Sequence, residues 1–122
     1  MCNAPGTQVN AIGANFPQKR ELDDEAVGRA AIIAVDSIEQ SKMEAGDLIQ
    51  AFRADRSRWT TVRELAEIVA GKTPGRTDAQ QVTLFKSNGI AIWDVAVAAR
   101  VYELARQRKV GRQVPLWEQS GS

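Results

Sequence analysis

The chain has 122 residues, of which 43% are hydrophobic and 25% are charged, and this composition predicts one globular domain spanning residues 1–122. A net charge of +1 gives no basis for binding nucleic acid or an anionic membrane. One cysteine and no histidine exclude an intrachain disulfide, a thiolate metal cluster and histidine acid–base chemistry, so we expect no metal site. Because no apolar run is long enough to cross a membrane, we expect a cytoplasmic protein.

The first half of the chain alternates segments typical of strands and helices. Gln8–Gly13 has β character, and Leu22–Val27 predicts a short helix with acids in its first turn. Ala30–Val35 is apolar on both faces, as expected of a strand that helices cover on both sides, and Asp36 ends it. Residues 37–53 are helical in pattern, with Gly46 as the expected break between two helices.

The middle of the chain predicts a polar connection and one helix. Ala54–Trp59 is predicted to form a polar connection, and Thr61–Glu64 has capping-box spacing that would open a helix ending at Gly71. Ala66–Thr73 satisfies a loose form of the phosphate-binding loop, but such a loop must follow a strand and start a helix. Because this segment ends a helix, we interpret it as a helix C-cap.

A strand, a turn and a long helix follow. Val82–Lys86 is the predicted strand, Ser87–Gly89 is the turn, and the helix runs to about Gln107, an arrangement that directs backbone N–H groups at an anion or polar ligand. The helix is predicted to be mostly buried. Asp94 falls within its apolar arc, where we expect a buried hydrogen bond, and Trp93 at the edge of the polar arc predicts either a contact with another chain or packing within its own.

Strands that alternate with helices indicate an α/β fold with a parallel sheet, here of about three strands with flanking helices. The tail, residues 109–122, is expected to pack only through Trp117. No G-x-G-x-x-G dinucleotide-binding fingerprint occurs among the nine glycines.

Three segments carry a family resemblance. Val9–Leu22, Val35–Ser37 and Thr83–Ser87, continuing through Asp94-Val95-Ala96, resemble the ornithine cyclodeaminase and mu-crystallin family in order and spacing. The similarity runs from about Pro5 to Val114 but covers only the last third of a family member. The resemblance therefore implies a truncated Rossmann-like module, the second half of the NAD-binding domain plus the terminal segment.

The same resemblance implies no enzymatic activity for the lone chain, since the glycine-rich loop and the substrate-binding and dimerisation domain lie outside the matched part. Asn15 occupies the position of the family's catalytic aspartate. An amide cannot accept the proton that a carboxylate takes in general-base work, so we assign no catalytic residue. We expect no cofactor for the lone chain, and NAD only when the missing half complements it.

Five residues are candidates for cofactor binding: Gly13, Asn15, Lys19, Lys86 and Ser87. The resemblance places Lys19, Lys86 and Ser87 near the nicotinamide end of the cofactor. Independently, Gly13, Asn15 and Ser87, like Asp36, follow the carboxyl ends of predicted strands, where open α/β sheets bind ligands. The alternative is structural: Asn15 and Ser87 as turn and N-cap residues, and Lys19 as a solvated cation.

Two functional hypotheses follow. The first is a stand-alone, non-catalytic binding or scaffold module that forms a homo-oligomer through the exposed edge of the strand Gln8–Gly13. The second is a fragment or subunit of an NAD-dependent enzyme resembling ornithine cyclodeaminase, active only with an N-terminal complement chain.

Overall fold

The computed structural model describes residues 4–115, in which four parallel strands form one sheet. In chain order the strands are β1 (Gln8–Ala11), β2 (Ile32–Val35), β3 (Arg63–Glu64) and β4 (Thr83–Lys86). Their order in the sheet is β1-β4-β2-β3. The α/β fold with a parallel sheet is therefore confirmed, with one more strand than expected.

Five α-helices and one 3-10 helix connect or follow the described strands: α1 (Asp24–Arg29), α2 (Ile38–Glu44), α3 (Gly46–Ala51), the 3-10 helix Arg56–Thr61, α4 (Leu65–Val69) and α5 (Ala91–Arg108). Side chains cap three of them, since Asp23 accepts a hydrogen bond from the N–H of Ala26, Ser37 accepts one from that of Gln40, and Asp55 accepts one from that of Ser57. The helix break at Gly46 is confirmed. None of the helices in the described range is long and apolar enough to cross a membrane.

The core lies between the sheet and the helices α1 and α3. All four residues of β2 are buried, as its continuous apolar sequence predicts. The buried cluster combines strand, helix and loop residues, namely Ala11, Val27, Ile33, Val35, Ala45, Leu48, Phe52, Val62 and Leu84. Phe52 is 1% exposed and meets Trp59 edge to face, with ring centroids 5.1 Å apart.

The predicted capping box at Thr61–Glu64 is wrong. Val62 is buried and extended, and the next two residues pair with β2 in the register Ala34 with Arg63 and Val35 with Glu64. The Glu64 carboxylate accepts a hydrogen bond from the N–H of Ile38 at 3.0 Å instead of capping its own helix. Tertiary pairing therefore overrides the local signal, and α4 begins at Leu65 without a side-chain cap.

The chain divides into two compact units, one ending at Ile90 and the other beginning at Ala91. The second unit contains α5, whose C-terminus is closed by hydrogen bonds from the N–H groups of Lys109 and Val110 to the carbonyls of Arg106 and Ala105. The single-domain organisation stays a prediction, and Trp117 lies outside the described residues.

The prediction that the last helix is mostly buried is wrong. No residue of α5 is buried, and the buried hydrogen bond expected for Asp94 is absent because its side chain is exposed. A helical period identifies the residues that share a face, but it does not supply an element to cover that face. Trp93 is 39% exposed, and its role as a contact stays a prediction.

The core position of Phe52 gives a stability prediction. Phe52→Ala should lower the free energy of unfolding by about 3–5 kcal/mol, because it removes a buried ring and leaves a cavity. Phe16→Ala is the matched control, since Phe16 is 54% exposed, and should change that free energy by less than about 1 kcal/mol. Urea unfolding followed by circular dichroism measures both, and equal losses would contradict the assigned core.

Candidate functional site

The loop that follows β1, residues 13–22, is held in place by two carboxylates. The N–H of Gly13 donates to Glu21 Oε2 at 2.7 Å, which closes the loop on itself. The N–H groups of Glu21 and Leu22 donate to Asp47 Oδ1 at 2.6 and 2.8 Å. Asp47 belongs to α3 and is fully buried, so the end of this loop is fixed to the core.

Lys86 ties the same loop to β4. Its side chain is fully buried, and its ammonium lies 3.2 Å from Asp47 Oδ2 and donates to the carbonyl oxygen of Ala14. One carboxylate oxygen of Asp47 thus accepts two hydrogen bonds from backbone N–H groups, and the other oxygen lies beside the Lys86 ammonium. Because an unpaired buried charge is costly, these contacts explain how both charges are tolerated in the core.

Gly46 allows the loop to pack closely on the start of α3. A Cβ atom at this position would overlap the carbonyl oxygens of Phe16 and Lys19, which are backbone atoms and cannot simply rotate away. The glycine predicted as a helix break therefore has a second role, which is to admit the loop that carries Asn15 and Lys19.

The turn after β4 is held by a third carboxylate. Asp36, at the end of β2, accepts hydrogen bonds at Oδ2 from Ser87 Oγ at 2.8 Å and from the N–H groups of Asn88 and Gly89 at 3.0 and 2.8 Å. These N–H groups were expected to face an external anion. The expectation is wrong for this turn, because the Asp36 carboxylate already occupies the position of that anion.

Three buried polar atoms beside this turn lack a hydrogen-bond partner among the described residues. They are Oδ1 of Asp36 and both side-chain heteroatoms of Asn88, Oδ1 and Nδ2. Buried polar atoms without partners are uncommon and call for an explanation, such as a water molecule or a ligand. The turn therefore buries one amide group and one carboxylate oxygen whose hydrogen-bonding capacity is unused among the described residues.

The structure brings the predicted site residues to one edge but gives them different environments. β1 and β4 are adjacent and parallel, with Ala11 opposite Lys86, so the loops that follow them share the carboxyl edge of the sheet. Gly13, Asn15 and Lys19 are exposed, Ser87 is half-buried and Lys86 is buried. The Lys19 ammonium lies 5.2 Å from the centroid of the Phe16 ring. Binding of a cofactor by these five residues stays a prediction.

Sequence reasoning did not identify Asp47 or Glu21 as parts of the site. The available signal was an acid following Gly46 at the start of an otherwise apolar helical turn, Asp47-Leu48-Ile49. An acid in the first turn of a helix is also typical of a solvated residue that complements the helix dipole. Its burial against Lys86 depends on a contact between distant segments.

Comparison with known proteins decides the family. The sequence model that defines the ornithine cyclodeaminase/mu-crystallin family matches residues 3–109 of this chain. The chain belongs to this family. Among curated family relatives, the alanine dehydrogenase of Archaeoglobus fulgidus is 41% identical over 110 residues, which are 89% of this chain and 34% of that protein.

Solved structures of family relatives share the fold. The Thermococcus litoralis Δ1-pyrroline-2-carboxylate reductase, solved with NADH and L-proline, superposes with a TM-score of 0.78 at 39% identity, covering 91% of this chain and 34% of that one. The Paracoccus denitrificans iminosuccinate reductase, solved with NAD+, superposes with a TM-score of 0.75 at 38% identity. The match covers 93% of this chain and 34% of that one. The chain thus spans about a third of the length of the relatives it matches.

The buried ion pair gives a prediction for the site. Lys86→Met should destabilise the fold by about 3–5 kcal/mol, because it leaves the Asp47 carboxylate buried without its cation. Adding Asp47→Asn should recover part of this loss, since the amide oxygen can still accept the two loop N–H groups and no buried charge remains.

The four proteins of this double-mutant cycle are compared by urea unfolding at pH 7. Additive losses from the two substitutions would contradict the coupling between the two side chains. Lys42→Met is the matched control, since the Lys42 side chain is 45% exposed and pairs with the exposed Glu39, and it should change the free energy of unfolding by less than about 1 kcal/mol.

Proposed function

We propose that this segment supplies the nicotinamide-side half of an NAD-dependent oxidoreductase site and acts together with a chain or segment that carries the first half of the dinucleotide-binding domain. The observation that carries the proposal is the pair of loops at the carboxyl ends of β1 and β4. Asp47 and Lys86 hold the first loop, and Asp36 holds the second. Both loops are thus ordered at the edge where open α/β sheets bind ligands.

The residues available at this edge suit a polar, uncharged group such as a carboxamide. Asn15 and Lys19 are exposed on the first loop, and Asn88 has a donor and an acceptor without partners. Lys86 and Ser87 Oγ are already bound within the fold, which supports a positioning role for both. The sequence has no G-x-G-x-x-G motif, so the pyrophosphate of NAD would have to be held by the complementary half.

The reaction class is inferred from the relatives together with Asn15. The relatives described above are named as a dehydrogenase and two reductases. We infer hydride transfer between nicotinamide and the nitrogen-bearing carbon of an α-amino or α-imino acid, with NAD supplying the hydride chemistry when bound. The amide of Asn15 cannot serve as a general base, which disfavours cyclising deamination of the ornithine type.

The edge of β1 offers a docking site for the complementary half. The carbonyls of Thr7 and Ala11 accept hydrogen bonds from Thr83 and Ser87, so alternate residues of β1 direct their backbone groups toward β4. The backbone groups of Gln8 and Asn10 therefore point away from the sheet, where a further strand can pair. An unpaired strand edge is a template for such pairing.

A second candidate uses the same edge. A second copy of this chain could pair there, giving the stand-alone, non-catalytic, self-associating module. The edge of β1 that no other strand within residues 4–115 pairs with favours this candidate as well as the first, and NAD binding distinguishes between them.

The test is complementation. The 122-residue chain is co-expressed with the part of the Archaeoglobus fulgidus alanine dehydrogenase that it does not cover, and NAD+ is titrated by calorimetry into the lone chain and into the purified complex. We expect binding by the complex and none by the lone chain. Asn10→Pro should prevent formation of the complex, because it removes the outward N–H of β1 without removing a bond to β4.

Asn10→Ala is the matched control, since it keeps that N–H and should leave the complex intact. A complex that forms but does not bind NAD+ would contradict the proposed function, as would NAD+ binding by the lone chain. The second candidate would be favoured if the lone chain self-associates, if Asn10→Pro abolishes this self-association, and if no complex with the dehydrogenase part forms.

A further inference from the structure

A cleft formed by residues of α2, of α3 and of the 3-10 helix combines aromatic and cationic side chains. Its volume is about 550 Å³. Clefts of this size are typical of sites that hold small organic molecules. None of the five candidate cofactor-binding residues contributes to its wall, which consists of Lys42, Ile49, Phe52, Arg53, Arg56 and Trp59.

The apolar part of the wall is an ordered aromatic pair. Phe52 is buried and meets the half-buried ring of Trp59 edge to face. The guanidinium carbon of Arg58 lies 4.5 Å from the centroid of the Phe52 ring, a cation–π distance. Because Phe52 is fixed in the core, the Trp59 ring is supported from within the protein while part of it stays accessible. A flat ring can therefore pack against Trp59 and the half-buried Ile49 without a change in the fold.

The polar part of the wall is positively charged. Lys42 pairs with Glu39 at 2.8 Å, but the side chains of Arg53 and Arg56 take part in no ion pair or hydrogen bond with any residue in the range 4–115. Both arginines are exposed. The other arginines of residues 4–90 each contact an acid, a backbone carbonyl or an aromatic ring, namely Arg20, Arg29, Arg58, Arg63 and Arg76. The two arginines that lack such a partner therefore lie together at the cleft.

Asp55 lies between the two arginines in sequence, but its carboxylate is engaged elsewhere. It caps the 3-10 helix and accepts hydrogen bonds from the N–H and from Oγ of Ser57 at 3.0 and 2.6 Å. The wall of the cleft itself contains no acid among the described residues. The positive charge of Arg53 and Arg56 is thus left for an anion from outside the chain.

We propose that this cleft binds a small molecule that carries an anionic group on a planar aromatic ring. The ring packs against Trp59, and the anionic group pairs with the guanidinium groups of Arg53 and Arg56. A guanidinium fork matches the oxygens of a carboxylate and of a phosphate equally well, so the two head groups share this chemistry. An inorganic anion would leave the aromatic wall unused, and a neutral ring would leave the arginines unused. The site is separate from the carboxyl edge of the sheet and does not depend on the proposed function.

Naphthalene probes test the proposal on the 122-residue chain labelled with ¹⁵N. We titrate 2-naphthoate and 1-naphthyl phosphate and follow the amides of the cleft residues and the indole N–H of Trp59 by NMR. At least one of the two anions should give saturable shifts at these signals with a Kd of about 1 mM or tighter. The tighter anion identifies the preferred head group. Neutral 2-naphthamide and acetate, which each lack one half of the ligand, should bind at least about tenfold more weakly.

Substitution of the arginines tests their role. Arg53→Gln and Arg56→Gln should each raise the Kd of the anionic probe by about threefold or more, and the double variant should raise it by about tenfold or more. Both side chains are exposed, so the fold should be kept, and circular dichroism verifies this. Arg108→Gln is the matched control, since Arg108 is exposed and lies outside the cleft, and it should leave the Kd unchanged.

Three outcomes would overturn the proposal. They are the absence of saturable binding by both anions, equal binding of 2-naphthamide, and a Kd that the double variant does not change. Shifts concentrated at Asn15 and Ser87 instead of the cleft would place the probe at the carboxyl edge of the sheet and would also overturn it.

Discussion

A buried ion pair between Lys86 and Asp47 is the interaction on which the candidate site depends. It joins three segments far apart in sequence, namely the end of β4, the start of α3 and the loop after β1, which Asp47 binds through two backbone N–H groups. Removing two charges from water costs several kcal/mol per ion unless both are paired and hydrogen-bonded. The same contacts that offset this cost also fix the loop that presents Asn15 and Lys19. Stability of the core and order at the sheet edge are therefore coupled.

Much of the fold could be predicted because its elements are marked by local patterns. The apolar run of β2, the glycine break at Gly46 and the strand that ends at Lys86 were all expected and are present. β3 was missed because two residues are too few to show a strand period, and a capping-box pattern covered them. The exposure of α5 was missed for a different reason: periodicity defines a face and leaves open what covers it.

The place of the candidate residues at the sheet edge could be predicted from the sequence, but the contacts that support them could not. Gly13, Asn15 and Ser87 were expected at one edge because carboxyl ends of parallel strands meet there, and the register of β1 with β4 agrees. Two carboxylates that organise this edge, Asp36 and Asp47, act on backbone groups distant in sequence. No local pattern reports such contacts, so the turn after β4 was interpreted as an open anion site although Asp36 already satisfies its N–H groups. The family relationship shows that the chain is similar to relatives such as a reductase solved with NADH. The chain covers about a third of the length of these relatives.

Hydrogen exchange at two backbone amides measures the central coupling most directly. Glu21 and Leu22 lie in a loop, yet their N–H groups donate to the buried Asp47 carboxylate. Amide exchange followed by NMR should therefore show protection of both at the level of the β4 amides, and Lys86→Met should reduce the protection of both together. Exchange of these two amides at the rate of the exposed residues around Lys19 would contradict the account, since the loop would then open independently of the ion pair.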